Sequence, residues 1–406
     1  MSAVRETYMM DFTREEYVAR KEKLVRLMQE SGLGGILLST KENVRYFTGF
    51  QSIVWDSKIS TPAFIVANSE GDWRMIGSQS SVGTMSITSW LPEEETLFYQ
   101  RGAAPGGKPS TLLDAICQTV ERLGLAGRKV GMETGIGFRP HLTFPVLKGL
   151  LGFLEDKGCQ VEDAAGLLWN IRSIKSPREI AYFREACRLN CLLYEKAFGS
   201  VVPGVTSERD LMRVMGMEAF RLGCDNILDM GIRSGLDRDP HTNCPSSDRV
   251  IGSRHEREVL MIDGGPSYKG YYSDIIRTAV IGQPSKKQLE YHQIAVDACY
   301  TGLAKLKPGE PLADAVKAVD DFLDQRGMTP INRTLHWIGH GIGLDFHEYP
   351  CLELGTDAVA QPGMCFACEP CICDGNGMFG IEQNVVITND GYELLTPFRH
   401  DLVVIS

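Results

Sequence analysis

The sequence predicts an α+β protein in two parts, an α/β unit over residues 1–172 and a unit of helices and antiparallel strands over 173–406. Three observations predict it. A chain of 406 residues is longer than one hydrophobic core usually organises. Helix-like and strand-like apolar patterns alternate through the first part. Arg172-Ser173-Ile174-Lys175-Ser176-Pro177-Arg178-Glu179 then reads as a joint. There Ser176 can cap a helix, Pro177 suits its first position and Glu179 completes the capping box.

Taken in order, Thr13 and Glu16 form a capping box ahead of a stripe of Tyr17, Leu24, Val25 and Met28. Gly32 ends that helix, and 35–39 reads as a buried strand. Further strands are expected at 63–67 and 73–76, then a helix over 111–123, a strand near Val130 and a helix over 142–154. The polar loop 51–60 carries Trp55, which as an exposed ring would serve as a lid or partner contact and otherwise as a half-buried anchor. Beyond the joint, helices are expected from Pro177 to about Ala197 and over 207–222, strands near Leu260 and Ser273, helices over 285–306 and 312–326, then more strands.

A net charge of −10 argues against a nucleic-acid partner or an anionic membrane surface. No run of about 18 apolar residues would span a bilayer. The first 21 residues lack the apolar core of a secretory signal, and 12 scattered cysteines need no disulfide framework, so a cytoplasmic protein is expected. Cys365, Cys368, Cys371 and Cys373 match neither a zinc knuckle nor a ferredoxin run, and are read as small buried hydrophobes.

The most informative stretch is His340-Gly341-Ile342-Gly343-Leu344-Asp345-Phe346-His347-Glu348-Tyr349-Pro350. Glycines do not belong inside a helix, so His340 and His347 are expected on a loop facing a cavity, with Gly341 and Gly343 allowing unusual dihedrals or close approach. Carboxylates flank this stretch in strand-like, apolar settings. Asp263 closes the run 259–262 and Asp274 follows Tyr271-Tyr272-Ser273, with glycines between that would let the two sit on adjacent antiparallel strands. Glu369 and Glu382 are embedded likewise, and Lys269 and Arg277 are the only cations within these segments. Buried acids need compensation, which divalent ions would supply with His340 as nitrogen ligand.

On these residues the part from 173 to 400 resembles the pita-bread metallohydrolases, which include methionine aminopeptidase, aminopeptidase P, prolidase and creatinase. Ile262-Asp263-Gly264, Tyr272-Ser273-Asp274-Ile275-Ile276-Arg277-Thr278, the His340 loop and Glu369-Pro370 carry the resemblance. The first part, through Tyr46-Phe47-Thr48-Gly49-Phe50, is similar to the extra domain of the aminopeptidase P, prolidase and creatinase branch. The resemblance implies a curved antiparallel sheet flanked by helices, with the ligand set Asp263, Asp274, His340, Glu369 and Glu382. It further implies that His241 contacts substrate, that His347 stabilises a tetrahedral intermediate and that His336 lies in the substrate pocket. His141, His255, His292 and His400 have no such context.

Two ions about 3.5–4 Å apart would supply a hydroxide and polarise a carbonyl, Glu369 would shuttle a proton, and His241 and His347 would donate to developing charge. That chemistry hydrolyses an amide-type C–N bond. Manganese is expected first, with cobalt, iron or zinc able to fit. Relatives of this branch imply a homodimer, with the loop carrying Trp55 beside the partner's pocket and a small peptide or metabolite as substrate. The chain departs from the family twice. Cys351 and Gly380 stand where prolidases tend to carry arginines, and no lysine or arginine occurs from His347 to Glu382. An Xaa-Pro peptidase is the first expectation, and a metal-dependent non-peptidase resembling creatinase, ectoine hydrolase or a sulfoniopropionate lyase is the second. A non-catalytic scaffold is the third, and the intact ligand set speaks against it.

Overall fold

The computed structural model describes residues 10–55, 61, 63–100, 111–227, 230–236, 245–396 and 400–406. It divides into two compact units, Met1–Ile171 and Arg172–Ser406.

The first unit begins with α1 (Arg14–Glu30), whose N-cap Thr13 accepts from the Glu16 amide. There follow β1 (Gly35–Leu38), α2 (Lys41–Thr48), β2 (Ala63–Asn68), β3 (Trp73–Ser78), α3 (Val82–Thr88) and β4 (Thr96–Tyr99). The unit continues with α4 (Leu112–Arg122), β5 (Lys129–Met132), α5 (Phe144–Asp156), β6 (Gln160–Asp163) and α6 (Ala165–Ser173). Its sheet has the order β4-β3-β2-β1-β5-β6, antiparallel at β1–β2 and β2–β3 and parallel elsewhere. A core of Leu37, Val66, Ile116, Val120, Val130 and Leu150 forms where α4 and α5 cover that sheet. Helix α2 was not expected. Tyr46 and Phe47 belong to its last turn, and Gly49 closes it at a φ of 77°, in the left-handed region glycine adopts without a Cβ clash.

The second unit opens with α7 (Pro177–Phe198), started by the full Ser176–Glu179 capping box, and α8 (Glu208–Arg221). Then come β7 (Met230–Gly235), β8 (Val259–Gly264), β9 (Ser267–Tyr268), β10 (Tyr271–Tyr272), β11 (Ile275–Ile281), α9 (Lys286–Leu303) and α10 (Leu312–Asp324). The last part holds β12 (Trp337–Gly341), β13 (Glu348–Glu353), β14 (Cys365–Cys368), β15 (Cys371–Asp374), β16 (Gly377–Gly380), β17 (Gln383–Ile387), β18 (Tyr392–Leu394) and β19 (Val403–Ile405).

Two sheets organise this unit, with strand orders β19-β11-β8-β7 and β13-β12-β14-β17-β18. Leu260, Ile262 and Ile275 of the first pack on Leu193, Tyr194, Leu211 and Met215 of α7 and α8. Ile338, Leu352 and Phe366 of the second pack on Leu303, Leu312 and Val316 of α9 and α10. Strand alternation therefore turns Asp263, the neighbour of Ile262, away from the α7–α8 layer. The cysteine cluster is largely core: Cys365, Cys368 and Cys373 are buried, Cys371 is half-buried, and all four are free thiols.

Candidate metal centre

Asp263 lies on β8 and is paired with Ile276 of β11. Asp274 comes one residue before β11, so the two aspartates do flank an antiparallel pair. The connection is longer than the expected turn, because the ribbon β9–β10 is inserted between them and turns at Lys269, with φ 53°, and Gly270. Asp274 is fixed through its backbone. Asn384 Oδ1 accepts its amide at 2.9 Å, and Asn384 Nδ2 donates to its carbonyl at 2.5 Å. Ser273 Oγ donates to the same Asn384 oxygen, and Asn190 Nδ2 donates to Ser273 Oγ and to the Gly264 carbonyl. Tethering Asn384, two residues past Glu382, to Asp274 fixes both carboxylates in one frame.

His340 was expected on a loop and is found on β12, with its strand partner Ala367 two residues before Glu369. Gly339 makes this possible: its φ is 150°, and a Cβ there would stand 2.0 Å from the Ala367 carbonyl oxygen. The resulting irregularity lets Trp337 and His340 share a face, their rings 6.2 Å apart and 21° from parallel, while Ile338 enters the core. Gly341 and Gly343 act by close approach, not by unusual dihedrals. A Cβ on Gly343 would lie 2.7 Å from a Glu348 carboxylate oxygen, and one on Gly341 would lie 2.8 Å from the Glu348 carbonyl.

His340 Nδ1 donates to the Gly341 carbonyl at 2.8 Å, leaving Nε2 toward Asp274 Oδ2 at 3.4 Å and Glu369 Oε1 at 3.2 Å. Such a backbone bond sets the tautomer that a metal-ligating imidazole requires. Glu369 is held by its amide donating to the Ile338 carbonyl. Glu382 is fully buried between β16 and β17, and neither of its carboxylate oxygens has a hydrogen-bond partner. Asp274 Oδ1 and His340 Nε2 also lack one.

Three overlapping groups offer ligand atoms within 4.8 Å of one another: His340, Glu369 and Glu382; Asp263, Asp274 and Glu382; and Asp274, His340 and His347. The first two share Glu382, the arrangement that two neighbouring cations bridged by a carboxylate would use. Burial, then the charges of Asp274, Glu369 and Asp263, push Glu382 well above the usual carboxylate range. Burial also raises Glu369, against the opposing effect of His340. Burial alone would lower His340, but the Asp274 and Glu369 carboxylates facing its Nε2 raise it to about 10. All three shifts express one fact: the pocket holds more negative charge than its own cations offset. Arg277, buried nearby, donates to the Ile276 and Glu382 carbonyls and to Gln383 Oε1. Orphaned buried oxygens, four carboxylates and one imidazole fit divalent ions.

His347 sits at the exposed rim, its ring centroid 4.1 Å from that of His340. Partial desolvation, then the nearness of His340, holds its pKa below the usual imidazole value. Behind it Glu348 is buried on the Arg172 guanidinium and on Lys175 Nζ at 2.9 Å, and accepts the Asp345 amide. Arg172 also reaches Asp345 Oδ2 at 2.9 Å, so an ion cluster anchors the chain between His340 and Glu348. Sequence reading passed over Glu348, although a carboxylate beside a site histidine with Arg172 and Lys175 at the joint was the available signal.

Other expectations fared differently. His241 lies outside the described residues. His336 is turned toward α10, with Nδ1 2.9 Å from Asp320 Oδ2 and a mostly exposed ring, and is not brought into the three ligand groups. Trp55 is not an exposed ring. It is buried in the first unit against Phe50 and His141, 5.6 and 6.0 Å away between ring centroids, because an indole this large gains more from packing than from solvent.

Comparison with known proteins bears on this geometry. Residues 181–389 match the metallopeptidase family M24, and residues 20–174 match the creatinase/prolidase N-terminal domain. The chain belongs to metallopeptidase family M24. It is 28% identical to the uncharacterized peptidase YqhT of Bacillus subtilis, over 95% of this chain and 99% of that one. It is 26% identical to an Xaa-Pro dipeptidase of Pyrococcus horikoshii, over 94% and 98%. A solved Xaa-Pro dipeptidase from Bacillus anthracis superposes with a TM-score of 0.81 at 26% identity, covering 96% of this chain and 99% of that one. The pita-bread fold with a creatinase-like first domain, expected from the resemblance, is the architecture present. Membership of M24 implies divalent metal ions. Among the described residues no helix is long and apolar enough to cross a membrane.

Proposed function

We propose that this M24 protein hydrolyses an amide-type C–N bond and is a peptidase of Xaa-Pro type, holding two divalent ions on Asp263, Asp274, His340, Glu369 and Glu382. The observation that carries the reading is Glu382, a fully buried carboxylate with both oxygens unpartnered, shared by two ligand groups. Ions bound there would supply an activated water and polarise the scissile carbonyl. Glu369 is less enclosed than Glu382 and is placed to take a proton and return it to the leaving nitrogen. His347, neutral at physiological pH and at the rim, donates to charge developing on the carbonyl oxygen. His241 is assigned a substrate contact by the resemblance alone. The names of the Pyrococcus and Bacillus anthracis relatives support Xaa-Pro peptides as substrates. Manganese is the first choice of metal, with cobalt, iron and zinc as alternatives, and the protein is expected in the cytoplasm as a homodimer.

Protein loaded with manganese or cobalt should bind about two ions per chain and cleave Xaa-Pro substrates. Asp274→Ala should lower that occupancy and abolish turnover, both read on the same samples by elemental analysis and steady-state assay. Full activity of stripped protein in excess chelator would exclude the mechanism. A second reading, a non-peptidase acting on a small metabolite, is favoured by the uncharged residue at Cys351. Turnover of amidine or betaine metabolites without any Xaa-Pro cleavage would select it.

A further inference from the structure

Beside the ligand cluster, two strands present a surface the chemistry above does not use. Leu352 of β13 enters the core against α10, so its neighbours Cys351 and Glu353 take the opposite face. Trp337 of β12 is the strand partner of Glu353 and lies alongside His340. Burial, then the Glu353 charge, pushes the Cys351 thiol up to about 11, so it stays neutral. On the other side of His340 stands Phe346, 6.3 Å away between centroids, itself edge-on to Tyr272 at 5.6 Å. The flank is thus aromatic, neutral and, at Glu353, acidic.

The buried cations among the described residues of this unit are engaged elsewhere. Arg172 and Lys175 hold Glu348, and Arg277 is spent on backbone carbonyls and Gln383. Arg333 pairs with Asp320 at 2.8 Å and Asp324 at 2.6 Å. An anionic group on a substrate lying along β13 would meet Glu353 and the indole face while losing its water. Desolvating a carboxylate without a charged partner is unfavourable, whereas an amide loses little.

Resting on the hydrolase reading of the adjoining cluster, we propose that Trp337, Cys351 and Glu353 form a specificity wall. This wall admits a neutral group, such as a peptide amide, on the substrate end along β13 and rejects a free carboxylate. Its test compares matched pairs differing in that charge alone. Calorimetry on metal-loaded protein would use N-acetylproline and N-acetylprolinamide, and kinetics would use Ala-Pro and Ala-Pro-amide. The neutral member should be preferred about tenfold or more in Kd and in kcat/KM, the factor a missing charge-assisted bond produces. Cys351→Arg should narrow or reverse the preference, and Glu353→Gln should narrow it. Equal or tighter binding of the acids by the unaltered protein overturns the wall, as does failure of both ligands to bind. Preference for the amide in binding with no cleavage of either dipeptide would leave the wall standing and overturn the Xaa-Pro reading instead. Cleavage that favours the free acid would do the reverse.

Discussion

Two buried glutamates, Glu133 of the first unit and Glu382 of the second, are treated in opposite ways. Glu133, at the end of β5, accepts five hydrogen bonds: from the amides of Ser39 and Thr40, from both their hydroxyls, and from Asn43 Nδ2. Those amides lie just ahead of α2, so the carboxylate ties the end of β5 to the chain entering that helix. Glu382 is buried as deeply and accepts from nothing, while the carboxylates around it add to its cost. A buried acid satisfied by neutral donors is architecture. One left unsatisfied among other acids is a place kept for a cation, because the fold alone would not retain it.

That contrast breaks most sharply under paired substitution. Glu382→Gln should cut turnover of loaded protein by more than about a hundredfold, beyond what loss of an outer partner does to a metal site, and lower its metal content. The melting temperature of metal-free protein should hold steady or rise, since the fold no longer has to bury an acid that has no partner. Glu133→Ala should do the opposite, costing about 3 kcal/mol through stranded donors while leaving metal stoichiometry unchanged. Equal destabilisation by both substitutions in metal-free protein would erase the distinction.

Glu348 sharpens the comparison as a third kind of buried acid, satisfied by charge. Burial alone would raise its pKa, but Arg172 and Lys175 pull it down from 4.5 to about 2. A depressed carboxylate stabilises the fold fully above its unfolded value, and that contribution disappears as pH falls from 4.5 through about 2. About 3 kcal/mol is therefore lost over that window. Glu348→Gln should give up a comparable amount at neutral pH, with two cations left facing a neutral amide, and should flatten the acid limb of a denaturation-against-pH curve. An unchanged acid limb in the variant would show that the ion cluster does not govern it.

How much of this was legible in advance follows the same division. The four clustered carboxylates were readable because each is an acid in or beside an apolar strand, a local conflict visible in sequence. Ser176-Pro177-Arg178-Glu179 was readable because capping chemistry is local. Gly339 was not, since its left-handed φ matters only against the Ala367 carbonyl of a strand far along the chain. Asn384 and Glu348 escaped notice for a related reason: their partners Asp274, Arg172 and Lys175 lie more than a hundred residues away in sequence. Trp55 stayed open between an exposed contact and a loop anchor because nothing local decides it; Phe50 and His141, found against its ring, settle it as an anchor.

The smallest expected effect separates two histidines four residues apart on β12 and its approach. His340 is enclosed by acids at the centre, whereas His336 bonds Asp320 of α10 with its ring 61% exposed. Asp320 keeps Arg333 as a partner when His336 is removed. An exposed pair of this kind contributes at most about 1 kcal/mol. The left-handed φ of 61° at His336 would be no easier for alanine, so substitution gains nothing from the backbone. His336→Ala should therefore shift stability by less than about 1 kcal/mol and kcat/KM by less than about threefold, as thermal melts and steady-state kinetics would read it. A tenfold loss in kcat/KM at unchanged stability would put His336 in the substrate pocket, as the resemblance implies, and the line between the two histidines would have to be redrawn.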